Sequence, residues 1–68
     1  MKLYIKNHNE FLKLITERGH NKGSFAISLN LSVATMSRLF NGGYVTPKTA
    51  KKIADSLNRE ITELFTIK

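Results

Sequence analysis

Arg18, Lys22, Arg38, Lys48, Lys51 and Lys52 all fall between Arg18 and Ala54, a stretch that holds no aspartate or glutamate. Glu10 and Glu17 precede it, and Asp55, Glu60 and Glu63 follow it. A surface built only for solubility mixes both signs along its exposed faces. Segregated cations suit instead the repeated negative charge of a phosphate backbone, with the two ends of the chain facing away. The whole chain agrees: 11 Lys plus Arg against 5 Asp plus Glu give +6, a balance that favours a polyanionic partner. Other chemistries lack their residues. The absence of cysteine excludes a disulfide scaffold and a thiolate metal site. His8 and His20 have no second ligand at metal spacing and read as surface residues. No compact group of nucleophile, acid and base is visible, so neither enzymatic activity nor a cofactor or metal is expected.

Holding those cations in place falls to a small framework. Sixty-eight residues lie near the lower limit for a chain that folds on its own core, so residues 1–68 read as a single domain. With 41% apolar residues, four glycines and one proline, the chain is not a disordered tail. No apolar run approaches the roughly 18 residues that span a bilayer, and Met1 to Ile5 is too short for a signal peptide. A cytoplasmic location without membrane contact is expected.

The apolar pattern predicts a mainly α fold of five short helices. Glu10 to Arg18 carries Phe11, Leu14 and Ile15 at helical spacing, with Asn9 as N-cap and Gly19 as the stop. Asn21 caps a second helix with Phe25, Ala26 and Leu29, and Asn30 ends it. Ser32 caps a third, striped by Met36, Leu39 and Phe40 and broken by Asn41-Gly42-Gly43. Thr46-Pro47 opens a fourth, in which Ala50, Ile53, Ala54 and Leu57 keep the helical period. A short fifth covers Ile61 to Phe65. Lys2-Leu3-Tyr4-Ile5 and Phe65-Thr66-Ile67-Lys68 instead alternate polar with apolar. They predict a two-stranded antiparallel ribbon that turns Leu3, Ile5, Phe65 and Ile67 onto the helices, the alternative being two frayed ends.

The second and third helices are separated only by Asn30-Leu31-Ser32, a spacing that forces the sharp crossing of a helix-turn-helix. Ala26 supplies the small residue needed where the helices approach, and Leu31 plugs the turn. On duplex DNA this motif lays its second helix in the major groove and its first across the backbone. Base contacts are therefore expected from Ser32, Val33, Ala34, Ser37 and Arg38. Arg38 can take guanine O6 and N7 together, while Val33 and Ala34 can pack on thymine methyls. Phosphate contacts are expected from Asn21 and Lys22 at a helix N-terminus, from Thr35, from Asn41 and Tyr44 in the loop beyond, and from Lys48 at the start of the fourth helix. The alternatives are a phosphate contact or a solvated side chain for Arg38, a place beside the cap for Val33, and packing against the loop for Tyr44. Lys51 and Lys52 have the alternative of plain solvated charge.

Gly19 through Gly42, GHNKGSFAISLNLSVATMSRLFNG, resembles the helix-turn-helix of the Cro/repressor-type (XRE-like) family of small phage and bacterial regulators. The likeness continues through Thr46-Pro47-Lys48, Ile53 to Asn58, and Ile61 to Phe65. It implies a lambda-repressor-like fold, and strands at both termini as in small phage-type members. Leu31 to Arg38 also resembles the recognition helix of the lactose-repressor family. That family has no helix before its motif and continues into a hinge and a sugar-binding domain. The chain departs from the Cro pattern at Ile15 and Phe40, where many members carry an Arg and a Glu. Apolar groups on both sides leave no buried charge unpaired. The resemblance implies a transcriptional repressor that binds double-stranded DNA as a homodimer, encoded by a phage or other mobile element. The alternative partners are another repressor protein, if the chain is a small anti-repressor, or a toxin, if it is an antitoxin-type regulator.

Overall fold

The computed structural model describes residues 1–68 in the order β1 (Leu3–Ile5), α1 (His8–Glu17), α2 (Lys22–Ser28), α3 (Val33–Phe40), β2 (Tyr44–Val45), α4 (Pro47–Ser56), α5 (Ile61–Leu64) and β3 (Phe65–Ile67). Local chemistry sets most of these boundaries. Asn21 Oδ1 accepts from Ser24 N–H at 2.8 Å and Ser32 Oγ from Thr35 N–H at 3.0 Å, so both expected caps form. The first helix starts earlier than expected: Asn7, not Asn9, is its cap and accepts from Glu10 N–H at 3.1 Å. The β1 strand runs almost directly into that cap, leaving Asn9 inside the first turn. Thr46 precedes Pro47 at the α4 start, but its hydroxyl reaches Thr49 Oγ1 at 3.3 Å instead of a backbone N–H.

Four helices end alike. Gly19, Asn30, Gly42 and Asn58 take positive φ. The residue after each sends its N–H back to Ile15, Ala26, Arg38 and Ala54 respectively, the six-to-one bond of a Schellman cap. The left-handed residue reverses the chain at once, so each helix can fold back across its predecessor.

Every buried residue is apolar. Phe11 and Ile15 from α1, Phe25 and Ala26 from α2, Met36 and Leu39 from α3, and Ala50, Ile53, Ala54 and Leu57 around α4 close on one core. Ile15 has no exposed surface, and Phe40 is half-buried with its ring 5.5 Å from that of Phe11. Both positions are thus built into apolar packing, with no ionic group between the helices.

The ribbon is a three-stranded antiparallel sheet, not a two-stranded one, in the order β2-β1-β3. Leu3 pairs with Ile67 and Ile5 with Phe65 on one side of β1, while Leu3 pairs with Val45 on the other. Leu3, Ile5, Phe65 and also Val45 face the core. Ile67, on the edge strand, stays 45% exposed although its partner Leu3 is buried. A two-residue strand shows no period of its own, which is why β2 reads as loop until its partners are known. No helix is long and apolar enough to cross a membrane.

Candidate nucleic-acid interface

Asn30 turns the chain between α2 and α3, and half-buried Leu31 donates its N–H to Ala26 O at 2.9 Å. Ala26 is completely buried at the crossing, where a larger side chain would force the helices apart. Met36 and Leu39 fix the inward face of α3, so at 3.6 residues per turn Ala34, Ser37, Arg38 and the C-cap Asn41 lie on the outward face. All four are exposed, as are Asn21, Lys22, Ser32, Val33, Tyr44 and Lys48; Thr35 is half-buried.

Two clefts border this face. Lys22, Val33, Met36, Ser37, Phe40 and Asn41 line one of about 320 Å³. Thr35, Arg38, Tyr44, Val45, Thr46 and Thr49 line the other, of about 210 Å³. The structure thus divides the expected contact residues: Lys22, Val33, Ser37 and Asn41 gather on one side, Thr35, Arg38 and Tyr44 on the other. Asn21, Ser32, Ala34 and Lys48 line neither cleft. Ser32 and Thr35 are already engaged with each other, their hydroxyls 2.8 Å apart at the cap. The Asn21 carbonyl oxygen is likewise occupied by its cap bond, which leaves the amide nitrogen as its donor.

Several side chains sit differently from the sequence reading. Tyr44 belongs to β2, not to a loop, with its ring 5.9 Å from that of Tyr4. Lys22 lies over the Phe40 ring with Nζ 4.8 Å from the centroid, which holds its charge beside the first cleft. His20 is half-buried, not on the surface: it packs 5.7 Å from Phe25 and its Nδ1 lies 3.1 Å from Ser24 Oγ. Arg18 leaves the acid-free set, since its guanidinium donates to Leu57 O at 2.9 Å and ties the end of α1 to that of α4. Lys51 pairs with Asp55 at 3.1 Å. Lys22, Arg38, Lys48 and Lys52 remain as the unpaired cations of that stretch. Sequence reasoning passed over Thr49, which reaches the second cleft from α4, and Phe40 as the seat of Lys22.

Gly43 shapes the Arg38 side of the site. Its N–H bonds Arg38 O at 2.7 Å, and a Cβ there would collide with Arg38 Cγ and come within 2.7 Å of Arg38 O. Gly43→Ala is expected to lower stability by about 1–3 kcal/mol, the usual range for forcing extra atoms into a packed site. Denaturant titration checks this; an unchanged midpoint would mean that the turn relaxes without strain.

A capped two-helix crossing that presents an exposed, acid-free helix face between two clefts defines a helix-turn-helix DNA-binding domain. The comparison with known families agrees: the family model of the Cro/C1-type HTH DNA-binding domain matches residues 10–68, and the chain belongs to that family. No curated protein and no solved structure gives a match.

Proposed function

We propose that this protein is a sequence-specific transcriptional regulator that reads the major groove with α3. The observation that carries the reading is the outward face of that helix, where Ala34, Ser37 and Arg38 stand exposed between cleft walls that carry Lys22 and Tyr44. Arg38 donates to a guanine, Ser37 reaches a neighbouring base edge, and Ala34 and Val33 meet thymine methyls. Asn21, Lys22, Thr35, Asn41, Tyr44 and Lys48 position the helix on phosphates. A face this rich in small side chains reads few bases directly, so sequence-dependent DNA shape supplies part of the specificity.

One helix-turn-helix buries limited surface, and a homodimer on two half-sites supplies the rest. The last helix and the terminal strands are the candidate dimer surfaces; β3 has one unpaired edge and an exposed Ile67. Terminal strands are also the feature that favours a phage or mobile-element origin, with repression at an operator in the bacterial cytoplasm or that of an infected host.

Selection of bound duplexes from a random pool at near-physiological salt tests this reading. The expected product is a two-fold symmetric motif with half-sites about 10 bp apart. A folded protein that enriches no motif would favour a second reading, a modulator that binds another repressor. Ile27 and Val33, 75% and 65% exposed beside the turn, are the apolar surface that reading would use.

A further inference from the structure

The outward face of the sheet holds a group of side chains that the helix-turn-helix does not explain. Leu3, Ile5, Val45 and Phe65 point inward, so Tyr4, Tyr44 and Thr66 form a row across the other face. Lys2 and Lys68 extend it. Their backbones exchange both hydrogen bonds, Lys2 N–H to Lys68 O at 3.0 Å and Lys68 N–H to Lys2 O at 2.7 Å, which places the two lysines directly opposite each other. Each ammonium is carried over a tyrosine ring, Lys2 Nζ at 5.1 Å from the Tyr44 centroid and Lys68 Nζ at 5.5 Å from that of Tyr4.

Like charges directly opposite on neighbouring strands destabilise a sheet. Packing does not ask for them, since both lysines are exposed, and none of the three strands contains an aspartate or glutamate. The rings beneath hold both ammonium groups in place, so an arriving anion finds them already ordered. Tyr44 is also a wall of the cleft that contains Arg38 and Thr35, which makes the lysine pair continuous with the surface beside α3.

We propose that Lys2 and Lys68, seated on Tyr44 and Tyr4, form a second contact with duplex DNA that takes backbone phosphates flanking the half-site read by α3. The partner is a phosphate backbone because the face offers two point cations and no arrangement of groups that reads a base edge. The proposal rests on the DNA-binding reading above, and it adds affinity without adding sequence preference.

The test is the salt dependence of binding to a duplex that extends a full helical turn beyond the selected site. Each phosphate contact contributes about 0.9 to the slope of log K against log salt. Lys2→Gln with Lys68→Gln is expected to flatten the slope by about two for each protomer bound and to shrink the affinity ratio between about 50 and 200 mM salt roughly tenfold per protomer, so roughly a hundredfold for the homodimer, with the selected motif unchanged. Lys2→Arg with Lys68→Arg keeps the wild-type slope. Lys13→Gln with Arg59→Gln removes the same charge from α1 and from the turn between α4 and α5, outside the acid-free stretch, and serves as the matched control. Equal flattening in the control, or no flattening in the first variant, would overturn the proposal, and thermal melts of all variants show whether the sheet persists. Should the Gln variant fail to fold, trimming the flanking turns from both ends of the duplex takes its place: wild-type protein must then lose the same slope, about two units per protomer. Slope is read on any duplex, so loss of the motif by itself would count against α3 as the reader and not against the lysine pair. A protein that binds no DNA even at low salt would overturn both.

Discussion

Arg38→Ala is expected to weaken binding to the selected site by about 1–3 kcal/mol, the range measured for loss of a bidentate base contact. The loss should fall on one base-pair position and leave the rest of the motif intact. The geometry explains why a single side chain can matter so much. Arg38 lies on the outward face of α3, its stem passes beside Gly43, and its carbonyl is tied to Gly43 N–H at 2.7 Å. Nothing acidic competes for the guanidinium: the single ion pair, Lys51 with Asp55, lies along α4. Arg38 is exposed and outside the core, so the variant should melt close to wild type. Repeated selection with the variant checks the prediction. An unchanged motif and affinity would remove Arg38 from the base-reading set, while a uniform loss across all sequences would make it a phosphate contact.

Phe11→Ala should have the largest effect on stability, about 3–5 kcal/mol. Phe11 is 1% exposed and is the centre of the aromatic packing. Its ring lies 6.2 Å from Phe25 on α2, 5.5 Å from Phe40 on α3 and 6.2 Å from Phe65 on β3. One side chain therefore joins α1 to the helix-turn-helix and to the sheet. Domains hold about 0.05–0.15 kcal/mol per residue, or roughly 3–10 kcal/mol for a chain this long. The variant is thus expected to be largely unfolded near the lower end of that range and to lose DNA binding through unfolding. Denaturant titration measures the loss directly. A cost below about 1 kcal/mol would mean that the neighbouring rings close the cavity, contrary to the usual behaviour of a packed core.

The sequence by itself determined the helices, and with them the motif. Asn21 and Ser32 cap, and Gly19, Asn30 and Gly42 stop, because each of those bonds closes between residues three to five apart. Ala26 and Leu31 declare the crossing for the same reason, being set by the spacing of one short segment. The exposed face of α3 follows from the inward stripe of Met36 and Leu39 alone. Asn9 has the residue type of a cap, but Asn7, two residues after β1 ends, takes the role.

Tertiary structure decided what depends on partners distant in the chain. Tyr44 and Val45 become a strand only because β1 offers an open edge, and Val45 reaches the core only through that pairing. The Arg18 guanidinium is committed to the end of α4 because Leu57, 39 residues away, presents its carbonyl there. Lys22 gains its seat on Phe40, and Lys2 and Lys68 meet each other, across separations that no local pattern records. Periodicity and capping are energies of neighbouring residues and can be read along the chain. Strand pairing, ring stacking and the convergence of charge are energies of residues brought together only after the helices have packed.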